Sequence, residues 1–193
     1  MPSLMLHLKI GEEYLKNNNI KNAEEFLKGC LAPDFEKDKR KSHFGKNVEA
    51  QHLSQILSNK TDLFEICKNI KLDTDFNKGV FLHLVTDDFF YKTYMLREMK
   101  TYKALEKMPL EDAHKALYQE YNRLAYYFYR TTPPDNLYLL PEVFKQYEQE
   151  KMKYFTEKDI DIIIEAMSNI DLQEIQNVTL KKGKNNATKS PTI

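Results

Sequence analysis

The stretch Gly79-Val80-Phe81-Leu82-His83-Leu84-Val85-Thr86-Asp87-Asp88-Phe89-Phe90-Tyr91 decides the fold. Wound as a helix it is apolar on nearly every side, and such a helix belongs in the middle of a bundle. His83 and Asp87 stand four residues apart, so an imidazole and a carboxylate share one helical face. A buried carboxylate needs a partner, and the two groups can converge on one ion. A hydrogen-bonded pair without metal accounts for the same spacing, because buried polar pairs are also structural. Gly79, one turn before His83, predicts that another helix or loop approaches closely there.

Outward from this segment the hydrophobic periodicity stays helical. It predicts helices over residues 3–17, 20–31, 48–57, 61–70, 75–99, 109–130, 141–155 and 157–167. Glycine is scarce, and no alternating run supports a sheet. Thr156 followed by Asp159 reads as a variant capping box. Thr131-Thr132-Pro133-Pro134-Asp135 is the clearest break between helices. It is not a domain boundary, because the aromatic helix before it and Leu137-Tyr138-Leu139-Leu140 after it both need burial. The expected fold class is therefore all-α: a single multi-helix bundle over residues 1–180 around the helix carrying His83 and Asp87, with a disordered basic tail over 181–193.

With 193 residues the chain can bury a real core. Its 29 Lys and Arg balance 29 Asp and Glu, which argues against a broad attraction to nucleic acid or anionic membrane but leaves room for a small basic pocket. Nucleic-acid contact is suggested only weakly, by the basic tail. Cys30 and Cys67 lack a CxxC-type partner and are expected to be buried free thiols. Residues 1–7 lack the basic region and long apolar run of a secretory signal, and no apolar run is long enough to span a membrane. These features predict a cytoplasmic protein with no stable membrane insertion. The sequons at Asn59, Asn177 and Asn186 matter only in a secreted chain.

Three further residues have the chemistry of metal ligands. His7 opens an amphipathic segment in which the His7, Gly11, Tyr14 row can face inward with Leu4 and Leu15. Asp34 follows Pro33, which is expected to end the preceding helix and leave the carboxylate in a loop. His43 lies in Lys41-Ser42-His43-Phe44-Gly45, a polar stretch closed by glycine, and reads as a loop histidine. Taken singly, each has an ordinary structural explanation.

Taken in order, His7, Gly29-x-x-Ala32-Pro33-Asp34, Ser42-His43-Phe44 and His83-Leu-Val-Thr-Asp87 resemble the zinc-dependent phospholipase C family, relatives of the single-strand-specific zinc nucleases. The resemblance covers roughly the first half of the chain. It implies that Asp34, His43, His83 and Asp87 are the four protein ligands of one zinc site. It further implies that His7 belongs to a neighbouring zinc sharing Asp87, or joins the first ion. Secreted members complete that neighbouring site with an amino-terminal tryptophan; this chain has none. The remaining family site needs two histidines and a glutamate. Tyr91, His114 and Tyr118, with Glu120 nearby, are the candidates here, and only His114 looks like a surviving ligand, so one or two ions are expected and the third site is expected to be absent.

Nitrogen and oxygen donors without thiolate suit zinc, and also manganese, iron, nickel or cobalt. The resemblance implies hydrolysis of a small phosphoester, of the phospholipid or nucleotide class, by a metal-activated water that Asp34 or Asp87 orients or deprotonates. An HD-domain phosphohydrolase is the alternative among enzymes, but its adjacent His-Asp pair is missing: Phe44 follows His43 and Leu84 follows His83. A non-catalytic helical module with a structural metal is the alternative outside enzymes. The stripe Tyr118, Tyr121, Leu124, Ala125, Phe128 and Tyr129 reads chiefly as core, with tyrosines available to line a cleft.

Overall fold

The computed structural model describes residues 3–98, 102–140 and 151–187. Among these residues the protein is all-helical, without strands. Helix α1 (Leu4–Asn17) begins at Ser3, whose hydroxyl accepts from the Met5 amide at 3.2 Å. Helix α2 (Ala23–Phe35) is capped by Asn22, and a short α3 (Lys39–His43) by Asp38, whose carboxylate takes the amides of Arg40 and Lys41. Then come α4 (Leu53–Ser58), α5 (Leu63–Asn69) and α6 (Asp75–Asp88), which runs straight into a π-helical segment, Phe89–Glu98. The chain continues through α7 (Tyr102–Leu105), α8 (Leu110–Thr131), α9 (Glu157–Ser168) and α10 (Leu172–Ala187).

Helix α6 packs against α1, α2, α5 and α10, and its closest partner is α2. Two glycines make that approach possible. A Cβ at Gly79 would lie 2.0 Å from the Phe26 carbonyl oxygen, and one at Gly29 would lie 2.1 Å from that of Phe76. Backbone therefore meets backbone where α2 and α6 cross, as Gly79 predicts in the sequence. Phe26, Leu27, Cys30 and Leu31 from α2 and Phe81, Leu82 and Leu84 from α6 fill the core around the crossing. Both cysteines are free and buried. Helix α8 contributes Ala113, Leu117, Tyr121, Leu124 and Phe128 to the core, while Tyr118 and Tyr129 of the same stripe reach the surface.

Several elements depart from the sequence expectations. The helix expected over 48–57 begins only at Leu53, because the Lys46 amide donates to the Asn59 carbonyl at 2.9 Å and holds that stretch alongside the end of α4. Of the helix expected over 141–155, residues 141–150 lie outside the described residues, and 151–155 are not helical. The amides of Lys153, Tyr154 and Phe155 all donate to Oε1 of buried Glu120, at 2.6–3.0 Å, in place of helical carbonyls. Helix α10 continues to Ala187, where the sequence suggests a disordered tail over 181–193; residues 188–193 lie outside the described residues. Leu180 packs on the core, and Gln176 donates to the carbonyls of Cys67 and Ile70, so the basic residues ride on an anchored helix. The capping box at Thr156 and Asp159 forms as expected.

Candidate metal centre

Five side chains from four helices meet beside the α2–α6 crossing: His7 of α1, Asp34 of α2, His43 of α3, and His83 and Asp87 of α6. All but Asp34 are fully buried, and the Asp34 carboxylate itself is only 4% exposed. Asp34 is helical, not in a loop. Pro33 lies so near the end of α2 that the helix needs only two more residues. The last carbonyls find donors in α3: the Ser42 hydroxyl donates to Pro33 at 3.0 Å, and the Lys39 ammonium to Asp34. His43 is likewise the last residue of a helix and not a solvated loop residue. Phe44 closes that helix in the left-handed region at φ 55°, which turns the imidazole inward.

The ring nitrogens have defined roles. Nδ1 of His83 lies 2.7 Å from the Cys30 carbonyl, and Nδ1 of His43 lies 3.0 Å from the Lys39 carbonyl and 2.7 Å from the Ser42 hydroxyl. A carbonyl only accepts, so each Nδ1 carries a hydrogen and, in the neutral ring, each Nε2 offers a lone pair to the cluster. These two Nε2 atoms stand 3.2 Å apart. Nε2 of His43 is 3.4 Å from Asp34 Oδ1 and 3.3 Å from Asp87 Oδ2; Nε2 of His83 is 3.7 and 3.9 Å from the same two oxygens. On the other side of Asp87, Oδ1 lies 3.2 Å from Nε2 of His7, whose ring stacks on His83 with centroids 3.7 Å apart.

With both of these rings neutral, acceptors face acceptors among Asp34, His43, His83 and Asp87. Asp34 Oδ1, both Asp87 oxygens and both His7 nitrogens are buried without a hydrogen bond, despite these short separations. Groups so placed could hold a cation between them. The spacing fits one: ligands about 2.1 Å from a shared tetrahedral centre lie about 3.4 Å apart. The five measured separations among Asp34, His43, His83 and Asp87 run from 3.2 to 3.9 Å. His7, His83 and Asp87 form a second group able to hold an ion, and Asp87 offers a different oxygen to each side.

The electrostatics pull the imidazoles apart. Burial, with His7 alongside, pushes His83 down to about 3, so it is held neutral. Burial also disfavours charge on His43, but Asp34 and Asp87 outweigh it and lift His43 to about 9. Burial would raise both carboxyls; the imidazoles around them prevail and keep Asp34 below its ordinary value and Asp87 well below it.

From His43 and Asp87 a cleft of about 400 Å³ opens outward. Lys39, Arg40, Lys46 and Lys60 line it, with Val48, Ile56 and Tyr118 as an apolar wall. Sequence reasoning passed over these residues; the run Lys39-Arg40-Lys41 beside His43 was the available signal. Of the residues weighed for a third site, His114 packs edge-on against Tyr118 at 4.7 Å, and Glu120 is turned to the 153–155 amides. Tyr91 is buried beneath Asp87, where burial raises its hydroxyl well above the usual value. No family model, curated protein or solved structure matches the chain.

Proposed function

We propose that the protein is a metal-dependent phosphoester hydrolase of the phospholipase C type, with Asp34, His43, His83 and Asp87 as ligands of one divalent ion. His7 joins that ion or holds a second one with Asp87. Zinc is the ion we assign, on the nitrogen and oxygen donor set and on separations suited to tetrahedral coordination. The observation that carries the reading is the buried cluster of three imidazoles and two carboxylates, with polar atoms that lack hydrogen-bond partners, lying at the foot of an open cleft. A structural ion has no need of such access, whereas a catalytic one does.

A bound divalent ion supplies an acidified water and polarises a phosphoryl oxygen. The chain's part is to orient both. His43 and His83 are locked by their Nδ1 hydrogen bonds, so their lone pairs stay aimed at the cluster. Asp34 or Asp87, held ionised, would accept a hydrogen bond from the attacking water and so orient it.

One observation favours a second reading. The high proton affinity of His43 would let an imidazolium bridge Asp34 and Asp87 in a dry, non-catalytic module. Elemental analysis of protein purified without added metal distinguishes the two when paired with hydrolysis of bis(p-nitrophenyl) phosphate and p-nitrophenylphosphorylcholine before and after chelation. The proposal expects stoichiometric metal and chelator-sensitive turnover of at least one of the two esters, both lost in His83→Ala. Full activity in metal-loaded His83→Ala, or no metal after reconstitution, overturns it.

A further inference from the structure

The cleft is as informative as the cluster beneath it. Among the described residues four cations line it, and Asp87, at its base, is the one carboxylate in the lining. Their engagements differ. Lys46 is paired with Asp62 at 2.7 Å, Lys39 donates to the Asp34 carbonyl, and Arg40 holds Asn47 at 2.9 Å. Lys60 is half-buried and, among the described residues, has no carboxylate partner; its ammonium lies 5.7 Å from the centre of the Tyr118 ring. Its position is fixed by close packing: a Cβ at Gly45 would lie 2.5 Å from the Lys60 carbonyl oxygen. The two walls of the cleft, residues 45–48 and 59–60, are therefore set against each other by backbone contact.

An aliphatic and aromatic surface formed by Val48, Ile56 and Tyr118 faces the same space. Val48 is 42% and Tyr118 45% exposed, so both are available for contact. A ligand matching these features has an anionic end near Lys60 and the cluster and an uncharged apolar or aromatic remainder. A cationic headgroup meets like charge on several sides.

We propose that this cleft binds phosphate esters of uncharged apolar or aromatic alcohols and rejects those bearing a cationic headgroup, with Lys60 as the residue that holds a non-reacting phosphoryl oxygen. This rests on the phosphoester reading and sharpens it: within that class, choline-type esters are poor substrates. Lys60 determines specificity and takes no part in bond breaking.

The test is calorimetric titration of the full chain, zinc-loaded and chelator-treated, with phenylphosphonate and with phosphorylcholine at mildly alkaline pH, where both phosphoryl groups are dianionic. Phenylphosphonate carries a P–C bond and survives if the protein is a hydrolase. The expected result is at least tenfold tighter binding of phenylphosphonate, weakening as salt rises. In Lys60→Met that affinity falls about ten- to a hundredfold, the loss of one charge-assisted hydrogen bond, and Lys60→Arg restores most of it. Val48→Asp, at an exposed site that leaves the core intact, should shift preference toward phosphorylcholine. Equal affinity for the two ligands, no binding of either, or an unchanged constant in folded Lys60→Met overturns the proposal. Metal content, read on the same samples, keeps the two failures apart. A protein without zinc that still discriminates sinks the hydrolase reading alone, and a zinc-loaded, active protein that does not discriminate sinks this one alone.

Discussion

Replacing Gly79 by alanine probes the link between the fold and the candidate metal centre. The added methyl would lie 2.0 Å from the Phe26 carbonyl oxygen and 2.8 Å from the Cys30 amide nitrogen, both backbone atoms that cannot rotate away. Ordinary contact needs about 3.4 Å, so α2 and α6 must part by more than about 1 Å. Overpacking of this kind costs about 1–3 kcal/mol, and more where the obstacle is backbone. For a domain of this size each kcal/mol lowers Tm by about 2–4 °C. The same displacement pulls the Cys30 carbonyl away from Nδ1 of His83, now 2.7 Å distant, and moves Asp34 relative to Asp87. Loss of such an orienting hydrogen bond weakens metal binding about 10- to 100-fold. Gly11→Ala is the control, because its methyl would meet only the Leu27 and Cys30 side chains, at 2.9 and 3.0 Å, and these can shift. Thermal unfolding of chelator-treated protein and zinc titration of both variants make the comparison. If Gly79→Ala is as stable as Gly11→Ala and binds zinc as tightly as the unsubstituted protein, the backbone crossing does not set the site.

Three further predictions follow from the same geometry. If the cluster holds two ions, Asp87→Ala should lose both while His7→Ala retains one, as read by elemental analysis; a retained full complement in Asp87→Ala would refute the sharing of that carboxylate. In metal-free protein His43, lifted to about 9, contributes stability below its unfolded pKa near 6.5 and loses that contribution as pH rises through about 9. His83, pushed down to about 3, acts the other way, so its contribution fades as pH falls below about 6.5. Tm of chelator-treated protein should therefore peak near neutrality, and a curve that keeps rising to pH 9 contradicts the charge assignment. Thr156→Ala removes the cap of α9 and should lower stability by about 1 kcal/mol without altering metal content; an unchanged Tm means that the capping box contributes nothing.

The parts of this protein legible in the sequence are those governed by local periodicity. Helix α6 was readable because its apolar residues surround it, and Gly79 because only a close approach gives a glycine in such a helix a purpose. The His7, Gly11, Tyr14 face was readable from spacing alone, and all three residues are buried. Asp34 and His43, singled out by residue type and order, do meet the other three side chains, but their local structure was misread for a tertiary reason. Pro33 and the polar stretch before Gly45 are breakers by local rules, yet α3 caps the end of α2 and Phe44 turns back in the left-handed region. The cleft was not readable at all. Its charges come from residues 39–46 and 60, which are joined by tertiary contacts, the packing of Gly45 on the Lys60 carbonyl and the Lys46–Asn59 backbone hydrogen bond.

Charge balance bears on whether a proton or a metal ion fills the cluster. Asp34 and Asp87, both held ionised, bring two negative charges into a site almost without solvent. A proton on His43 returns one positive charge, and burial keeps the adjacent His83 neutral. With His43 alone protonated, one buried negative charge is left over, and the Lys39 ammonium at 4.0 Å from Asp34 Oδ1, itself 43% exposed and screened by water, offsets little of it. The proton also leaves both His7 nitrogens unpartnered. A divalent ion ligated by neutral imidazoles and two carboxylates brings the sum to zero and gives every facing lone pair a positive partner. A second ion between His7 and Asp87 would carry the site to a net positive charge, which suits the cationic wall above it and an anionic substrate between them. The same arithmetic predicts competition: zinc uptake at pH 6 should release more protons than at pH 9.5, because His43 must first give up its own. Calorimetry in buffers of differing ionisation enthalpy counts those protons, and equal release at the two pH values would place the titrating group outside the cluster.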